Sequence, residues 1–256
     1  MRKPRIGIIG GTGGMGRWLA GFFQREGFQV QVSGRHTGPA FPALARQCPV
    51  VVVSVPIRET CRVIEQVGPF MPPGSLLMDL TSLKEKPVKA MLKSSLSEVI
   101  GLHPLFGPKI RSLAGHGLVL CPARTKIWVS WIKTIFLNQG AHLIETTPRR
   151  HDEWMALVQG LNHLNSITMG LALERSGLDL KELKQYATPM FKTKLAILKK
   201  IFGRDSRLYA EIIIHNPHIH KVLKDYREGL SEVNKLIDRK DSEQLQKLLD
   251  GTKLSF

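Results

Sequence analysis

Arg5-Ile-Gly-Ile-Ile9, followed without a break by Gly10-Gly-Thr-Gly-Gly-Met-Gly16, decides the fold of this 256-residue chain. The first five residues are mostly apolar and β-branched, the composition of a parallel strand buried on both faces. Gly11, Gly13 and Gly16 then fit G-x-G-x-x-G. From Arg17 to Glu26 the pattern is helical, with Trp18, Leu19, Phe22 and Phe23 on the inner face, and Phe28 to Val32 is the next strand. Strand, glycine loop, helix and strand make the βαβ setting that the motif requires. Glycines let a backbone approach a pyrophosphate, and the helix start offers free N–H groups and the positive end of a dipole. Gly11, Thr12, Gly13, Gly14, Met15 and Gly16 are therefore the expected phosphate cradle of a Rossmann-type α/β domain.

The second strand ends in Val32-Ser-Gly-Arg-His36. NAD sites commonly place an acid here to accept from the ribose 2′-hydroxyl. No Asp or Glu lies between Gly27 and Arg58. Ser33 and Arg35, with His36 beside them, offer instead the hydroxyl and fixed cation that suit a 2′-phosphate. NADP is the expected cofactor, with NAD the second option.

Val50 to Val55 reads as a central strand, closed by Ser54-Val55-Pro56 at the carboxyl edge, where open α/β sheets bind ligands. Arg58 to Val67 reads as a helix, Ser75 to Leu80 as a strand, and another helix begins near Lys84. Thr81 or Ser82 can cap that helix, and Ser82 is equally a free hydroxyl at a strand end. Ser94 to Leu102 leads into Gly101-Leu-His-Pro-Leu-Phe-Gly-Pro108. His103 thus stands at the mouth of a strand on a loop stiffened by prolines, a good position for proton transfer. His116 to Cys121 and Ala141 to Thr146 are further strands, around a Trp-rich helix from Ile127 to Leu137.

After Thr147-Pro148 strand-like runs stop. Residues 1–147 are the expected nucleotide-binding domain, and residues 148–256 an all-α domain for substrate binding and dimerisation. Thr147 caps a helix that carries Pro148 in its first turn and runs to about Arg175. Asp179, Thr188 and Asp205 cap later helices, and Asn216-Pro217 opens the longest. In it Leu223, Leu230 and Ile237 recur every seven residues. Core packing is the first reading of that stripe and a partner-helix seam the second.

Hydrophobic residues are 43% and charged residues 23% of the chain, an ordinary globular balance. No apolar run approaches the roughly 18 residues of a membrane span. Behind the basic start Met1-Arg-Lys-Pro-Arg5, the run Ile6 to Ile9 is too short for a signal sequence. Cys48, Cys61 and Cys121 are odd in number and form no C-x-x-C. That argues against a disulfide framework or a zinc site and for a cytoplasmic setting, and no metal is expected. The net charge of +16 is spread along the chain. It suits a funnel for a polyanionic small substrate and a phosphate-rich cofactor better than a nucleic-acid surface.

Taken together the motifs resemble the prephenate/arogenate dehydrogenase family of tyrosine biosynthesis, over nearly the whole chain. The resemblance rests on Gly11-Thr-Gly-Gly-Met-Gly16, Asp79-Leu-Thr-Ser82-Leu-Lys84 and Gly101-Leu-His103-Pro-Leu-Phe-Gly-Pro108. It also uses Gln159-Gly-Leu-Asn-His163, Thr188-Pro-Met-Phe-Lys192 and Arg207-Leu-Tyr209-Ala-Glu-Ile212. It implies oxidative decarboxylation of prephenate to 4-hydroxyphenylpyruvate and carbon dioxide, with reduction of a nicotinamide; arogenate is the alternative substrate. On the same resemblance His103 is the general base at the ring hydroxyl and Ser82 orients that region. His163, Lys192, Lys200 and Tyr209 bind substrate, and Asp152, after His151, joins their network. Lys192 and Lys200 stand where family members often carry arginine, and a bidentate fork is lost. A homodimer through the helical domain is implied, and no chorismate mutase domain is expected ahead of the glycine loop.

Two other readings compete. One is a two-domain NADP-dependent oxidoreductase acting on a 3-hydroxy acid or an imine, which would not need the His103 loop. The other is a nucleotide-sensing or nucleic-acid-binding module without turnover, supported only by the charge.

Overall fold

The computed structural model describes residues 3–203 and 206–253. The cap expected at Asp205 and the first two residues of the basic start lie outside them. The chain builds β1 (Ile6–Ile9), α1 (Gly14–Arg25), β2 (Val30–Ser33), α2 (Phe41–Gln47), β3 (Val50–Val53), α3 (Ile57–Val67), β4 (Leu76–Asp79), α4 (Glu85–Ser94) and β5 (Glu98–Pro104). Then follow β6 (Gly117–Arg124), α5 (Trp128–Asn138) and β7 (His142–Glu145). The seven strands form one sheet in the order β2-β1-β3-β4-β5-β6-β7. The first five run parallel, β6 runs antiparallel to β5, and β7 parallel to β6.

This is the doubly wound arrangement that the strand–loop–helix pattern implies. Both faces of the sheet are covered, which is why β1, β3 and β4 read as unbroken apolar runs. One face packs Ile6, Ile8, Val50, Val52, Met78 and Leu102 against the aromatic side of α1 and α5. The other packs Ile9, Val51, Val53, Leu77 and Val99 against α2, α3 and α4. The strand order reverses between β1 and β3, so the carboxyl edge opens there into a crevice.

All later elements are helical: α6 (Pro148–Met155), a π-helical segment Ala156–Leu161, α7 (Asn162–Arg175), α8 (Leu180–Leu183), α9 (Pro189–Ile201), α10 (Ser206–His215), α11 (Ile219–Asp238) and α12 (Ser242–Gly251). Three expected caps form: Thr147, Asp179 and Thr188 accept from the N–H groups of Arg150, Lys181 and Phe191. Two expectations need correction. The helix from Pro148 is not regular to Arg175, because the π segment interrupts it. The heptad stripe of α11 is not core: Leu230 is 49% and Ile237 60% exposed, and only Ile219 of that helix is buried. No helix among the described residues is long and apolar enough to cross a membrane.

The glycine loop also differs in detail. Helix α1 starts at Gly14, three residues earlier than expected, so Met15 and Gly16 lie in its first turn. The residue that needs a positive φ is Gly10, at +83°, just before the motif. At Gly16 a Cβ would stand 2.4 Å from the Gly10 carbonyl oxygen. Gly16→Ala would gain about 0.5–1 kcal/mol of helix propensity but must push backbone aside. The clash wins, and a net loss of about 1–3 kcal/mol is expected. Gly21→Ala in the same helix meets only the flexible end of Arg25 and should be neutral or stabilising. Urea midpoints of the two variants check the opposite signs.

Candidate active site

The site begins with the pleat of β5. Its seven residues are all buried and alternate between the two faces. Ile100 and Leu102 face α1 and α5. Val99, Gly101 and His103 therefore face α4. A Cβ at Gly101 would lie 2.9 Å from Lys84 Cδ, so the strand can approach that side chain only at glycine.

His103 is 2% exposed, and its Nδ1 lies 2.9 Å from His151 Nε2. His151 Nδ1 in turn lies 2.7 Å from Asp152 Oδ1. Asp152 accepts two more bonds, from the Lys84 N–H to Oδ1 at 2.8 Å and from the Glu85 N–H to Oδ2 at 2.9 Å. On the other side of the His103 ring, Gln159 Nε2 lies 3.5 Å from His103 Nε2. With both rings neutral, only one arrangement of protons serves these contacts. His151 donates from Nδ1 to the carboxylate, His103 donates from Nδ1 to His151, and His103 Nε2 keeps its lone pair. Burial, with His151 and the Lys84 charge beside it, holds His103 well below the usual histidine range. Burial also lowers His151, partly opposed by its bond to Asp152. The result is a neutral imidazole whose one basic nitrogen, Nε2, faces the Gln159 amide at 3.5 Å, backed by a second imidazole and a fixed carboxylate.

Beneath this chain lies a fully buried ion pair between Lys84 and Asp79. The Lys84 ammonium also donates to the Leu102 carbonyl at 3.0 Å, directly before His103. Thr81 completes the turn, donating its N–H to Asp79 Oδ2 at 3.0 Å, with its hydroxyl between Asp79 and the Leu83 carbonyl.

These contacts correct several expectations. Neither Thr81 nor Ser82 caps α4. Lys84 is its N-cap residue and makes no side-chain bond to it, and the acceptor is Asp152 from α6. Asp152 is 1% exposed with both oxygens engaged, so it positions the relay and the helix instead of binding substrate. Ser82 is half-buried in the loop between Asp79 and Lys84, with no hydrogen bond from its side chain among the described residues. His163 does meet Tyr209, ring centroids 4.7 Å apart, and burial and the Lys200 charge lower its pKa. Lys192 stands apart. It lines a groove of about 1020 Å³ between α7 and α9, with Leu171, Leu195 and Phe202. Eight residues of helix put Lys192 and Lys200 about 80° apart around α9.

His151 and Gln159 carry no role in the sequence reading. The same eight-residue offset separates them, and in an uninterrupted helix they too would diverge by about 80°. The π segment has wider turns, which reduce that offset and bring Gln159 to the ring that His151 holds. Gly160 lets this segment press on Ile219 of α11, where a Cβ would come within 2.6 Å of a side-chain carbon. Gln159 Oε1 is buried without a partner, so an unused acceptor belongs to the same side chain.

The nucleotide crevice is a cleft of about 1020 Å³ lined by Gly10, Thr12, Arg35, His36, Val55 and Pro56, among others. The N-terminus of α1 has no side-chain cap and no acid in its first turn, which leaves its N–H groups for an anion. A Cβ at Gly13 would meet only the Gly10 oxygen, at 3.3 Å, so the loop stays open toward a ligand. These features fit a dinucleotide. The Gly14 backbone approaches Pro108, whose Cγ would lie 3.1 Å from a Cβ there, so the His103 loop leans over the phosphate cradle. Of the expected cofactor residues, Thr12, Ser33, Arg35, His36, Val55 and Pro56 line this cleft. Ser33 is 1% exposed, and its hydroxyl donates to the Pro39 carbonyl at 2.8 Å. The hydroxyls nearest the loop at Gly34 are those of Thr37 and Thr12.

Comparison with known proteins identifies the family. The family model described as prephenate dehydrogenase, nucleotide-binding domain, matches residues 25–145. That described as prephenate dehydrogenase, dimerization domain, matches residues 147–251. A probable arogenate/prephenate dehydrogenase of Methanocaldococcus jannaschii is 34% identical over 95% of this chain and 59% of its own length. The T-protein of Haemophilus influenzae is 30% identical over 93% of this chain and 63% of its own. The chain thus spans about three-fifths of these relatives. In fold it is similar to prephenate dehydrogenase from A. aeolicus solved with hydroxyphenyl propionate and NAD+, with TM-score 0.77 and 19% identity, covering 98% of this chain and 96% of that one.

Lys84→Met is expected to cost about 3–5 kcal/mol, because it leaves the Asp79 carboxylate buried and unpaired. Replacing both, as Asp79→Leu with Lys84→Met, should recover most of that loss. Denaturant unfolding of the single and double variants measures the difference.

Proposed function

The chain belongs to the prephenate dehydrogenase family, and from that premise we propose that it oxidatively decarboxylates prephenate with a nicotinamide cofactor. The observation that carries the reading is the His103–His151–Asp152 chain, in which neutral rings leave His103 Nε2 unprotonated, on the strand whose following loop meets the glycine loop at Pro108. In prephenate a ring carbon bears a hydroxyl, and the opposite carbon bears a carboxylate. Bound NAD(P)+ supplies the acceptor for hydride from the hydroxyl-bearing carbon. His103 takes the hydroxyl proton at Nε2 as that carbon becomes carbonyl-like. The imidazolium so formed keeps its Nδ1–H on His151, whose own Nδ1–H rests on the Asp152 carboxylate, so no charge is left uncompensated. Loss of the ring carboxylate as carbon dioxide completes an aromatic ring whose oxygen takes the proton back from His103, so the protein mainly positions groups.

Gln159 fixes the plane of the His103 ring from the Nε2 side. Ser82 lies on the loop that carries Lys84 and contributes a hydroxyl near the reacting ring. His163, Tyr209 and Lys200 form the polar wall for the substrate's side-chain carboxylate, with Lys200 its cation. Arogenate carries an amine on that side chain, and the Lys200 charge favours the keto acid prephenate. The cofactor preference is NADP, supported by the absence of an acid on the β2 loop and by Arg35, His36 and Thr37 along the cleft. The working unit is a homodimer. The exposed Leu230 and Ile237 and the leucine-lined groove between α7 and α9 are apolar surface that a second copy would cover.

Reduction of nicotinamide, followed by absorbance, tests the reaction with prephenate or arogenate against NADP or NAD in all four pairings. Turnover should be best with prephenate and NADP, and silence in all four would refute the proposal. His103→Asn should lower kcat by about a hundredfold or more with substrate affinity largely kept. The pH profile has a definite sign. A base whose pKa is depressed stays active as pH falls, so the acid limb of kcat/KM should lie below the ordinary histidine value of about 6.5.

A further inference from the structure

The sequence places no acid at the ribose end of the cofactor cleft, yet the fold brings one there from another element. Glu59 of α3 lines the same cleft as Arg35 and Arg62. Its carboxylate is used unevenly. Both Arg62 nitrogens, Nε at 3.0 Å and Nη2 at 2.6 Å, donate to Oε2. Oε1 has only Arg58 Nε, at 3.6 Å, which is too far for a good hydrogen bond. One oxygen therefore holds Arg62, and the other is an open acceptor. Arg62, Arg58 and Arg35 all favour the charged form of Glu59.

We propose that Glu59 sets the cofactor preference: its Oε2 restrains Arg62 from a 2′-phosphate, while its Oε1 accepts from the 2′-hydroxyl of an unphosphorylated ribose. This rests on the nucleotide reading of the cleft and deepens it. Two guanidiniums facing one carboxylate give a site that binds both cofactors, with the 2′-phosphate favoured by Arg35 and the preference limited by Glu59. The position explains how a β2 loop without an acid can still accept NAD. The acid sits on the helix after β3, i and i+3 with the arginine that it restrains.

The test uses binding of adenosine 2′,5′-bisphosphate and of AMP to the whole chain, by titration calorimetry, so that it does not depend on turnover. Glu59→Gln keeps the shape of the side chain and removes its charge. It should tighten the bisphosphate about three- to tenfold and weaken AMP, with melting temperature unaltered, since the pair is at the surface. Arg62→Ala should weaken the bisphosphate and spare AMP. The effect of Glu59→Gln should shrink as salt is raised, because exposed charges are screened within about 8–10 Å at physiological strength. If Glu59→Gln leaves the ratio of the two affinities unchanged while Arg35→Ala lowers it, Glu59 has no such role and the nucleotide reading stands. If the unaltered chain binds neither probe, the nucleotide reading falls and this inference with it.

Discussion

The Asp152 carboxylate is the point on which the rest of the structure depends. It is buried, and a buried carboxylate is tolerated only when its oxygens are filled by donors. Three donors meet it: two main-chain N–H groups at the start of α4 and the His151 ring. Its own carbonyl is held by Asn216 Nδ2 at 2.9 Å, from the turn before α11. The first two donors come from the nucleotide-binding half and the others from the helical half. Satisfying one acid therefore docks α6 against α4 and brings the His151 ring to His103. A helix cap is ordinarily worth about 0.5–2 kcal/mol. Here the cap also sets the geometry of the His151–His103 pair.

Lys84 ties the same arrangement from below. Its N–H bonds Asp152 at one end of the relay, and its ammonium bonds the carbonyl before His103 at the other. Asp79 supplies the counter-charge that lets an ammonium stay in a dry interior. A short turn between β4 and α4 thus spans the whole relay, which accounts for the close spacing of Asp79, Thr81 and Lys84. His218 adds a contact between the halves, with its ring nitrogen 2.5 Å from Glu85 at the start of α4.

The two sites communicate through the His103 loop. It leaves the sheet at β5 and leans on the first turn of α1, the expected phosphate cradle. A base on one side of the loop and a dinucleotide cradle on the other are thereby held by a single proline-bounded segment. The proposed reaction needs that closeness, since the proton leaves the hydroxyl oxygen and the hydride leaves the ring carbon that bears it.

Much of this was legible in the residues alone, and the reason is locality. Unbroken apolar runs, a glycine loop, and caps such as Thr147 and Thr188 act within a few residues, so local pattern reveals them. His103 was legible because the strand and loop that present it are continuous in sequence. What the tertiary structure alone decided are partnerships between distant residues. His103 and His151 lie 48 residues apart and Lys84 and Asp152 lie 68 apart. No periodicity announces such pairs. The role of Gln159 needed the π segment, which shifts helical phase without a sequence signature. The bond from the Ser33 hydroxyl to the Pro39 carbonyl likewise joins residues that no spacing pairs. The α11 stripe read as core until the fold left it exposed. Local pattern fixes what each segment becomes, whereas the choice of partner for each polar group follows from which segments the sheet and the buried carboxylate bring together.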